Sequence, residues 1–247
     1  MNFNLTEDQL AFKQAAKEFA EKEMAPHAAK WDKESHFPVD VIKATGELGF
    51  LGLYSPEEYG GLGLSRLDSS IIFEEMSQHC TSTTAYLTIH NMCAWMVTTF
   101  AGKELAEQWG FKLTSGELLA SYCLTEPGSG SDAASMKTNA VTDGDDYVIN
   151  GSKTFISGAG STDVLVLMAR TGEDGPKGVS CILVPANLDG IIYGKKEEKM
   201  GWNSQPTRLI TFENVRVPKS HLIGSEGEGF KFAMKGLDGG RINIATC

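Results

Sequence analysis

The first half of the chain carries apolar residues at helical spacing. Thr6 and Gln9 form a Thr-x-x-Gln capping box, which predicts that a helix begins there. The apolar positions that follow, three or four residues apart, are Phe12, Ala16, Phe19 and Ala20. Pro38 opens a second, short helix that we expect to end near Gly49.

A long helical region follows the loop at 56–61. Ser65 and Asp68 are positioned to cap a third helix, whose apolar face includes Ile71, Ile72 and Met76. The next stretch, 80–102, has no charged residue, but its Thr, His and Asn side chains make it too polar to cross a bilayer. We therefore predict a buried core helix there, and a further helix over 103–113.

At Leu118 the period changes from helical to alternating. Asp143-Gly144 and Asn150-Gly151 are tight-turn pairs between alternating runs, which is the strongest short-range signal for a hairpin. From Gly229 the apolar positions return to helical spacing and continue to Cys247. Apolar runs between these landmarks predict strands over 164–168, 179–184, 209–212 and 215–217.

This order of elements predicts an α+β fold. We expect an all-helical N-terminal domain over 1–117, a middle antiparallel β domain over 118–226 and the start of a C-terminal helical bundle over 227–247. The regular alternation of strand and helix that builds a parallel sheet is missing. Because the last helical pattern is still running at position 247, we expect the C-terminal domain to be truncated.

Charge and cysteine usage narrow the classes of function. The 247 residues carry a formal net charge of −10 and a pI near 5.0, which argues against nucleic acid and anionic membranes as partners. The five cysteines and five histidines lack the spacing of a disulfide framework or a metal site, so we expect reduced thiols and no metal. The N-terminus has no secretory signal, which fits a bacterial cytoplasm, or alternatively the mitochondrial matrix.

The most informative motif is 122–132, Tyr-Cys-Leu-Thr-Glu-Pro-Gly-Ser-Gly-Ser-Asp. A strand runs into a loop rich in hydroxyls and uncrowded backbone N–H groups, which can seat a flat heteroaromatic ring and its phosphates. Gly128, Gly130 and Ala133 match a relaxed GxGxxA dinucleotide fingerprint, but the chain continues into a hairpin and not into the crossover helix that this fingerprint needs. The alternative is a loop whose glycines only permit turns.

A second motif, Lys-Thr-Phe-Ile-Ser-Gly, occupies 153–158. On a regular strand Phe155 and Ser157 share a face, so a ring for stacking and a hydroxyl donor lie side by side. This arrangement suits a bound flavin. The alternative is a phenylalanine of the β core next to a surface serine.

A third motif, Gly-Leu-Asp-Gly-Gly-Arg-Ile-Asn, occupies 236–243. Gly239 and Gly240 each cost a helix about 1 kcal/mol relative to alanine, so they suggest that something approaches the helix closely. Asp238 and Arg241 are three residues apart and share a helix face. The alternative for that pair is an ordinary surface ion pair.

Taken together and in this order, the three motifs resemble the acyl-CoA dehydrogenase family, and the resemblance covers the whole chain. It is strongest to family members that act on short branched-chain acyl groups, through segments 80–86, 89–95, 201–208 and the Gly-Gly-Arg run. The resemblance implies FAD held between a helical, a β and a second helical domain. It also implies α,β-dehydrogenation of a short branched-chain acyl-CoA, such as isobutyryl-CoA, to the enoyl-CoA.

The resemblance further implies roles for individual residues. Phe155 would stack on the flavin where many relatives have tryptophan, Ser157 stands where they have threonine, and Thr125 would reach the pyrimidine side. The full set implied to bind FAD is Tyr122, Cys123, Leu124, Thr125, Gly130, Ser131, Phe155, Ile156 and Ser157. The set implied to face the acyl-CoA is Ser131, Asp238, Gly239, Gly240 and Arg241.

In this family a glutamate removes the α-proton, and the β-hydrogen passes to the flavin as hydride. In most members that glutamate lies further along the C-terminal domain than position 247, and in others it stands where this sequence has Gly240. We therefore expect no catalytic base in this chain and no dehydrogenation by the chain alone. The family also implies an electron-transferring flavoprotein as electron acceptor and a homo-oligomer, a tetramer in full-length members.

Three functional hypotheses remain open. The chain is part of an acyl-CoA dehydrogenase, or a subunit that binds FAD and acyl-CoA and works with a separate C-terminal polypeptide, or an acyl-CoA oxidase or flavin monooxygenase on the same fold. Co-purification of a partner polypeptide would favour the second hypothesis. Oxygen consumption by the reduced flavin would favour the third, since dehydrogenases suppress that reaction.

Overall fold

A computed structural model describes residues 4–247 and shows helices, then a sheet, then a final helix. The first three residues of the predicted 1–117 domain lie outside the described range. The helices are α1 (Glu7–Phe19), α2 (Ala28–Glu34), α3 (Val39–Ala44), α4 (Arg66–Phe100), α5 (Lys103–Thr114) and α6 (Gly229–Thr246). The strands are β1 (Ala120–Cys123), β2 (Asn139–Asp143), β3 (Asp146–Ser157), β4 (Val164–Arg170), β5 (Val179–Pro185), β6 (Ile191–Lys196), β7 (Thr207–Pro218) and β8 (Leu222–Ile223).

The helix starts follow the local sequence signals. Both capping boxes form, with the Thr6 hydroxyl accepting from Gln9 N at the start of α1 and the Ser65 hydroxyl accepting from Asp68 N at the start of α4. The short helix α3 is also confirmed, and its extension ends at Gly49 with φ of 74°. The sequence interpretation missed α2, which has no side-chain cap at its N-terminus and therefore no start signal.

Helix α4 is interrupted once and then buried, as predicted for 80–102. Cys80 leaves helical geometry (φ −154°, ψ 91°), which kinks α4 at this residue, and its thiol donates to the Thr83 hydroxyl at 3.2 Å. Most side chains beyond this break are buried against α5, α6 and β1. Across residues 4–247, no helix combines the length and the apolar character needed to span a bilayer.

The strands form one sheet in the order β6-β7-β3-β2-β4-β5-β8, with β1 beside β4. The prediction of an antiparallel sheet holds for most neighbours. It is wrong for β1, which pairs with β4 in parallel, and for the single parallel pair between Asn139 and Arg170. The starts of β1 and β4 lie side by side, because the carbonyl of Leu119, just before β1, accepts from Asp163 N (2.8 Å) and Val164 N (3.0 Å) at the start of β4.

One of the two predicted hairpins is present. β2 and β3 turn at Gly144, as expected, but the hairpin predicted at Asn150-Gly151 is wrong because both residues lie inside β3. A bulge in the pairing with β7 falls between Ile149 and Gly151. Gly151 has φ of 143°, and a Cβ there would lie 2.5 Å from the Thr138 hydroxyl, so close packing accounts for this glycine.

The predicted strands 209–212 and 215–217 are one strand, β7. The two runs belong to the same strand, although Asn214 between them adopts a left-handed conformation with φ of 53°. Asn214 N donates to the Asn150 side chain at 2.9 Å, opposite the bulge in β3. The sequence placed Asn150 in a turn, but in the structure Asn150 and Asn214 hold paired irregularities of β3 and β7.

His90 joins the helical part of the molecule to the sheet. The residue is fully buried in α4, its Nε2–H donates to Leu113 O at 2.9 Å, and its Nδ1 accepts from Ala120 N at 3.1 Å. Both contacts require the neutral imidazole, since a protonated ring has no acceptor. Burial lowers the pKa of His90 to about 4, so the ring is neutral at neutral pH.

This buried imidazole predicts an acid-dependent loss of stability. The pKa is depressed in the folded state, so the contribution is complete above about pH 6.5 and falls as the pH approaches 4, by about 1.4 kcal/mol per pH unit. His90→Gln keeps a donor and an acceptor but does not titrate. Urea unfolding at pH 7 and pH 5 should therefore show about 2 kcal/mol less acid destabilisation in the variant than in the parent protein.

His79→Gln, on the same helix but without these two contacts, is the matched control and should keep the parental pH dependence. Equal acid destabilisation of the parent and of His90→Gln would contradict the role assigned to His90.

Candidate functional site

Segments 121–125 and 154–157 lie side by side and form one continuous wall. Ser121 Oγ donates to Ser157 O at 2.7 Å, and Thr154 N donates to Thr125 O at 2.8 Å. The two contacts join opposite ends of the segments, so the first and second sequence motifs run antiparallel along the end of the sheet. We call this surface the β1–β3 wall. It therefore includes both Thr125 and Ser157, which lie near its opposite ends.

Only part of the predicted cofactor set offers its side chains at this wall. Cys123, Leu124 and Ile156 are buried in the cores and offer no side chain to a ligand at this wall. Tyr122 packs against the core formed with α4 and α6, and its buried hydroxyl has no hydrogen-bond partner. Burial raises the pKa of this phenol well above its ordinary value. Thr125 is partly exposed.

Phe155 departs from the regular strand that the sequence suggested. Its φ is 58°, and the pairing of β3 with β7 shifts between Lys153 and Ile156. The premise that Phe155 and Ser157 share a face of a regular strand therefore fails at this bulge. The alternative of a core phenylalanine is also wrong, because the residue is 65% exposed. A bulky residue held in the left-handed region costs about 1–2 kcal/mol, which marks Phe155 as a candidate contact residue.

If the aromatic side chain is not needed for folding, Phe155→Gly should be more stable than the parent. Glycine adopts positive φ without the Cβ clash, and the lost ring is mostly exposed, so the free energy of unfolding should rise by about 1 kcal/mol. Urea unfolding of the ligand-free protein measures this change.

Asn214→Gly is the matched control for Phe155→Gly. Its φ of 53° is similar, but asparagine accepts this region more readily and here bonds to Asn150, so the substitution should bring no gain. A loss of stability in Phe155→Gly would show that the ring supports the fold.

A buried lysine on β3 binds the β1 side of the wall through hydrogen bonds on its inner face. Lys153 is completely inaccessible to solvent, and its ammonium donates to Leu124 O at 2.9 Å and to Glu126 Oε1 at 2.8 Å, with Met136 Sδ at 3.7 Å. An ammonium has three donors and no acceptor, so these neighbours match its capacity. Burial lowers the pKa of Lys153, and the Glu126 carboxylate opposes that shift.

Glu126 is held on its other side by backbone donors. Its two carboxylate oxygens accept from Lys137 N at 2.7 Å and Thr138 N at 2.9 Å. Burial favours the neutral carboxyl, but these donors and the Lys153 ammonium outweigh it and hold the pKa of Glu126 below its ordinary range. The sequence interpretation missed this pair, whose only signal was a lysine inside an otherwise half-buried strand.

The loop after Glu126 leaves open surface beside the wall. A Cβ added at Gly128 or Gly130 would meet no atom within 4 Å, and Ser131 is exposed. These glycines thus leave backbone N–H groups uncovered, as the sequence suggested. A cavity of about 470 Å³ lies next to the loop and is lined by polar groups that include Ser129 and Thr138.

Cysteine and metal chemistry do not contribute to this wall. All five cysteines are free, and burial raises the pKa of the Cys123 thiol to about 12, which keeps it protonated and unreactive. Within residues 4–247, no group of three or more His, Cys, Asp or Glu side chains is arranged to hold a metal ion.

The third motif packs against the protein itself. A Cβ at Gly239 would lie 2.5 Å from the Arg66 Cζ, whereas at Gly240 the nearest atom would be Met92 Sδ at 3.7 Å. The guanidinium of Arg66 in turn covers the Tyr54 ring, 3.5 Å from its centroid. The close approach inferred from the glycines is therefore the packing of α6 on α4 at Gly239.

Asp238 and Arg241 form an ion pair at 2.9 Å, with side chains 74% and 72% exposed. In the described residues no hydrogen bond or ion pair connects them to the β1–β3 wall. The geometry is that of the surface ion pair named above as the alternative, and such exposed pairs contribute little to stability. Both side chains remain free to meet a ligand from solvent.

The two adjacent glycines should respond oppositely to alanine. Gly239→Ala pushes a methyl group into the Arg66 guanidinium and should lower the free energy of unfolding by about 1–3 kcal/mol. Gly240→Ala meets only an ordinary contact and should raise it by up to about 1 kcal/mol through helix propensity. Urea unfolding of both variants gives the comparison, and equal effects would contradict the packing described.

Comparison with known proteins gives one consistent result. The family model described as acyl-CoA dehydrogenase, N-terminal domain, matches residues 6–117, and the model of the middle domain matches residues 121–215. The chain is 53% identical over 246 residues to the mitochondrial isobutyryl-CoA dehydrogenase of Bos taurus and 55% identical over 244 residues to that of Dictyostelium discoideum. The aligned parts cover 100% and 98% of this chain, and the chain spans 59% of each relative.

The fold agrees with a solved structure. The butyryl-CoA dehydrogenase of Megasphaera elsdenii superposes with a TM-score of 0.94 at 34% identity, covering 100% of this chain and 66% of that chain. The agreement includes the helical part, the sheet and the beginning of the last helix.

Proposed function

This chain belongs to the acyl-CoA dehydrogenase family, and we propose from this that it is part of an FAD-dependent enzyme that dehydrogenates a short branched-chain acyl-CoA. The names of the bovine and Dictyostelium relatives support isobutyryl-CoA as the substrate, which would place the reaction in valine degradation. The structural observation that carries the proposal is the β1–β3 wall, which brings the exposed ring of Phe155 and the partly exposed Thr125 into neighbouring segments.

The residues present fit a flavin. The exposed Phe155 ring offers a face for stacking, and the partly exposed Thr125 offers a hydroxyl on the same wall. We propose that this surface holds FAD, with Ser157 completing the polar edge and the loop at Gly130 and Ser131 meeting the phosphates. When bound, FAD supplies a two-electron acceptor for the β-hydrogen of the substrate, while the protein orients the ring.

On the substrate side we propose that Ser131, Asp238 and Arg241 meet the acyl-CoA. The exposed positions of these side chains support this, and Gly240 would shape the α6 surface beside them, whereas Gly239 is buried against Arg66. None of these groups suits the catalytic base. Gly240 has no side chain, and the Asp238 carboxylate is exposed and paired with Arg241, so it does not lie in the dry site that a general base needs.

Partners and location follow from the same proposal. We propose that electrons leave through an electron-transferring flavoprotein and that the full-length protein is a homo-oligomer, in keeping with the family. The names of the two isobutyryl-CoA dehydrogenases favour the mitochondrial matrix over the bacterial cytoplasm that the sequence alone suggested.

The purified 247-residue chain should bind FAD but should not reduce a dye with isobutyryl-CoA. Thr125→Val should weaken FAD binding about tenfold, which corresponds to the loss of one hydrogen bond of about 1.4 kcal/mol. Quenching of flavin fluorescence during titration measures the affinity, and dye bleaching measures turnover. Val141→Ala, which trims an exposed apolar residue on β2, is the control and should bind FAD normally.

Failure of the parent chain to bind FAD would overturn the cofactor proposal. Turnover of isobutyryl-CoA by the chain alone would overturn the statement that it lacks a base. Rapid oxygen consumption by the reduced flavin would favour the oxidase or monooxygenase alternative.

A further inference from the structure

Lys153 connects three separate parts of the chain from a position without solvent access. Its ammonium, on β3, donates to the backbone carbonyl of Leu124 just after β1 and to the carboxylate of Glu126 in the loop that follows. That carboxylate also holds the backbone at 137 and 138. Moving the ammonium would therefore disturb the loop at both ends, close to the surface that we propose for FAD.

The contact with Leu124 has a directional consequence. A trans peptide unit is planar, and its C=O and N–H bonds point in opposite directions. Because the Leu124 carbonyl points inwards to the Lys153 ammonium at 2.9 Å, the N–H of Thr125 in the same peptide points away from Lys153. The next carbonyl, that of Thr125, also turns towards β3, where Thr154 N donates to it at 2.8 Å. Both carbonyls are thus withdrawn, and the outer side of the wall presents a donor.

The ammonium also strengthens that donor. A cation bound to the carbonyl oxygen polarises the peptide, and hydrogen bonds in series reinforce one another. In a buried position this effect is weakly screened by solvent. A carbonyl oxygen or anionic edge of a ring placed against Thr125 N would therefore be bound more strongly than by an unassisted peptide.

Stability alone does not explain such a pair. Taking an ammonium and a carboxylate out of water costs several kcal/mol each, and replacing both with uncharged side chains of similar size is often neutral or stabilising. A buried ion pair at the back of a ligand-binding wall is therefore better explained by what it does to the wall.

We propose that Lys153 is a positioning residue for the flavin. By binding the Leu124 carbonyl and the Glu126 carboxylate, it aims the Thr125 N–H and hydroxyl at the pyrimidine edge of the ring and increases their donor strength. Reduction adds electron density to that edge, so the reduced cofactor gains more from Lys153 than the oxidised one does. This inference rests on the proposed FAD site and adds to it a residue that never touches the cofactor.

The test compares the parent chain with Glu126→Gln and with the double variant Lys153→Met/Glu126→Gln. The double variant removes both buried charges together, so it avoids an unpaired charge and should fold with a free energy of unfolding close to that of the parent. We expect its affinity for oxidised FAD to fall about tenfold. Glu126→Gln, which keeps the bond from Lys153 to the Leu124 carbonyl, should lose less.

Two further measurements separate positioning from a general loss of structure. The midpoint potential of bound FAD should become more negative in the double variant. A tenfold greater weakening for reduced than for oxidised FAD corresponds to about 30 mV. In the flavin-free protein, the amide proton resonance of Thr125 should move upfield, because the ammonium no longer polarises that peptide. Lys195→Met, an exposed lysine on β6, removes the same charge elsewhere and should change none of these values.

The outcomes distinguish the two proposals. If the parent chain binds no FAD, both the cofactor site and the role of Lys153 are overturned. If the parent binds FAD and the double variant binds it equally well, with the same potential and the same Thr125 resonance, only the role of Lys153 is overturned. Weaker binding with an unchanged potential and resonance would also overturn it, since it would indicate damage to the wall and not loss of a polarised donor.

Discussion

An ammonium cannot remain buried without acceptors, and this constraint organises the centre of the molecule. Lys153 lies on a strand with no access to water, so acceptors must come to it from the chain. They come from the end of β1 and from the loop after it, which are thereby fastened to β3. Glu126 extends the connection to the beginning of β2. This buried charge pair therefore adds to the hydrogen bonds that join the segments of the β1–β3 wall and links them to β2.

The surface in front of that pair departs from ordinary local preferences. Phe155 sits in the left-handed region with its ring exposed, which neither helps burial nor relieves backbone strain. On the opposite helix, Gly236 and Gly239 lower helix propensity so that α6 can lie directly on Met92 and Arg66. Exceptions of this kind are expected where a fold serves a ligand as well as its own stability. They concentrate in the same motifs that suggested a flavin site.

Family membership and local geometry support the functional proposal in different ways. The family models account for the architecture from residue 6 to residue 215, and the chain spans 59% of the two isobutyryl-CoA dehydrogenases. The geometry adds which groups of this chain are available. The partly exposed Thr125, the exposed ring of Phe155 and one exposed ion pair are open to solvent, whereas Cys123, Leu124 and Ile156 are confined to the interior.

Features that depend on neighbouring residues could be predicted from the sequence: both capping boxes, the turn at Gly144, the buried helix after Cys80 and the order of helical and β segments. Their physics is local, because a cap or a turn is satisfied within about four residues. The open backbone of the glycine-rich loop could also be predicted from the sequence, because small side chains leave the backbone uncovered.

Features that depend on register and long-range pairing became visible only in the folded structure. Asn150-Gly151 has the sequence of a turn but faces Asn214 across a bulge, 64 residues away along the chain. Lys153 finds Glu126 from 27 residues away, and Phe155 leaves its strand face because the sheet shifts by one position beside it. A two-residue period predicts the two faces of a single strand. Bulges and buried charges depend instead on which residues the neighbouring strand and loop place opposite that strand.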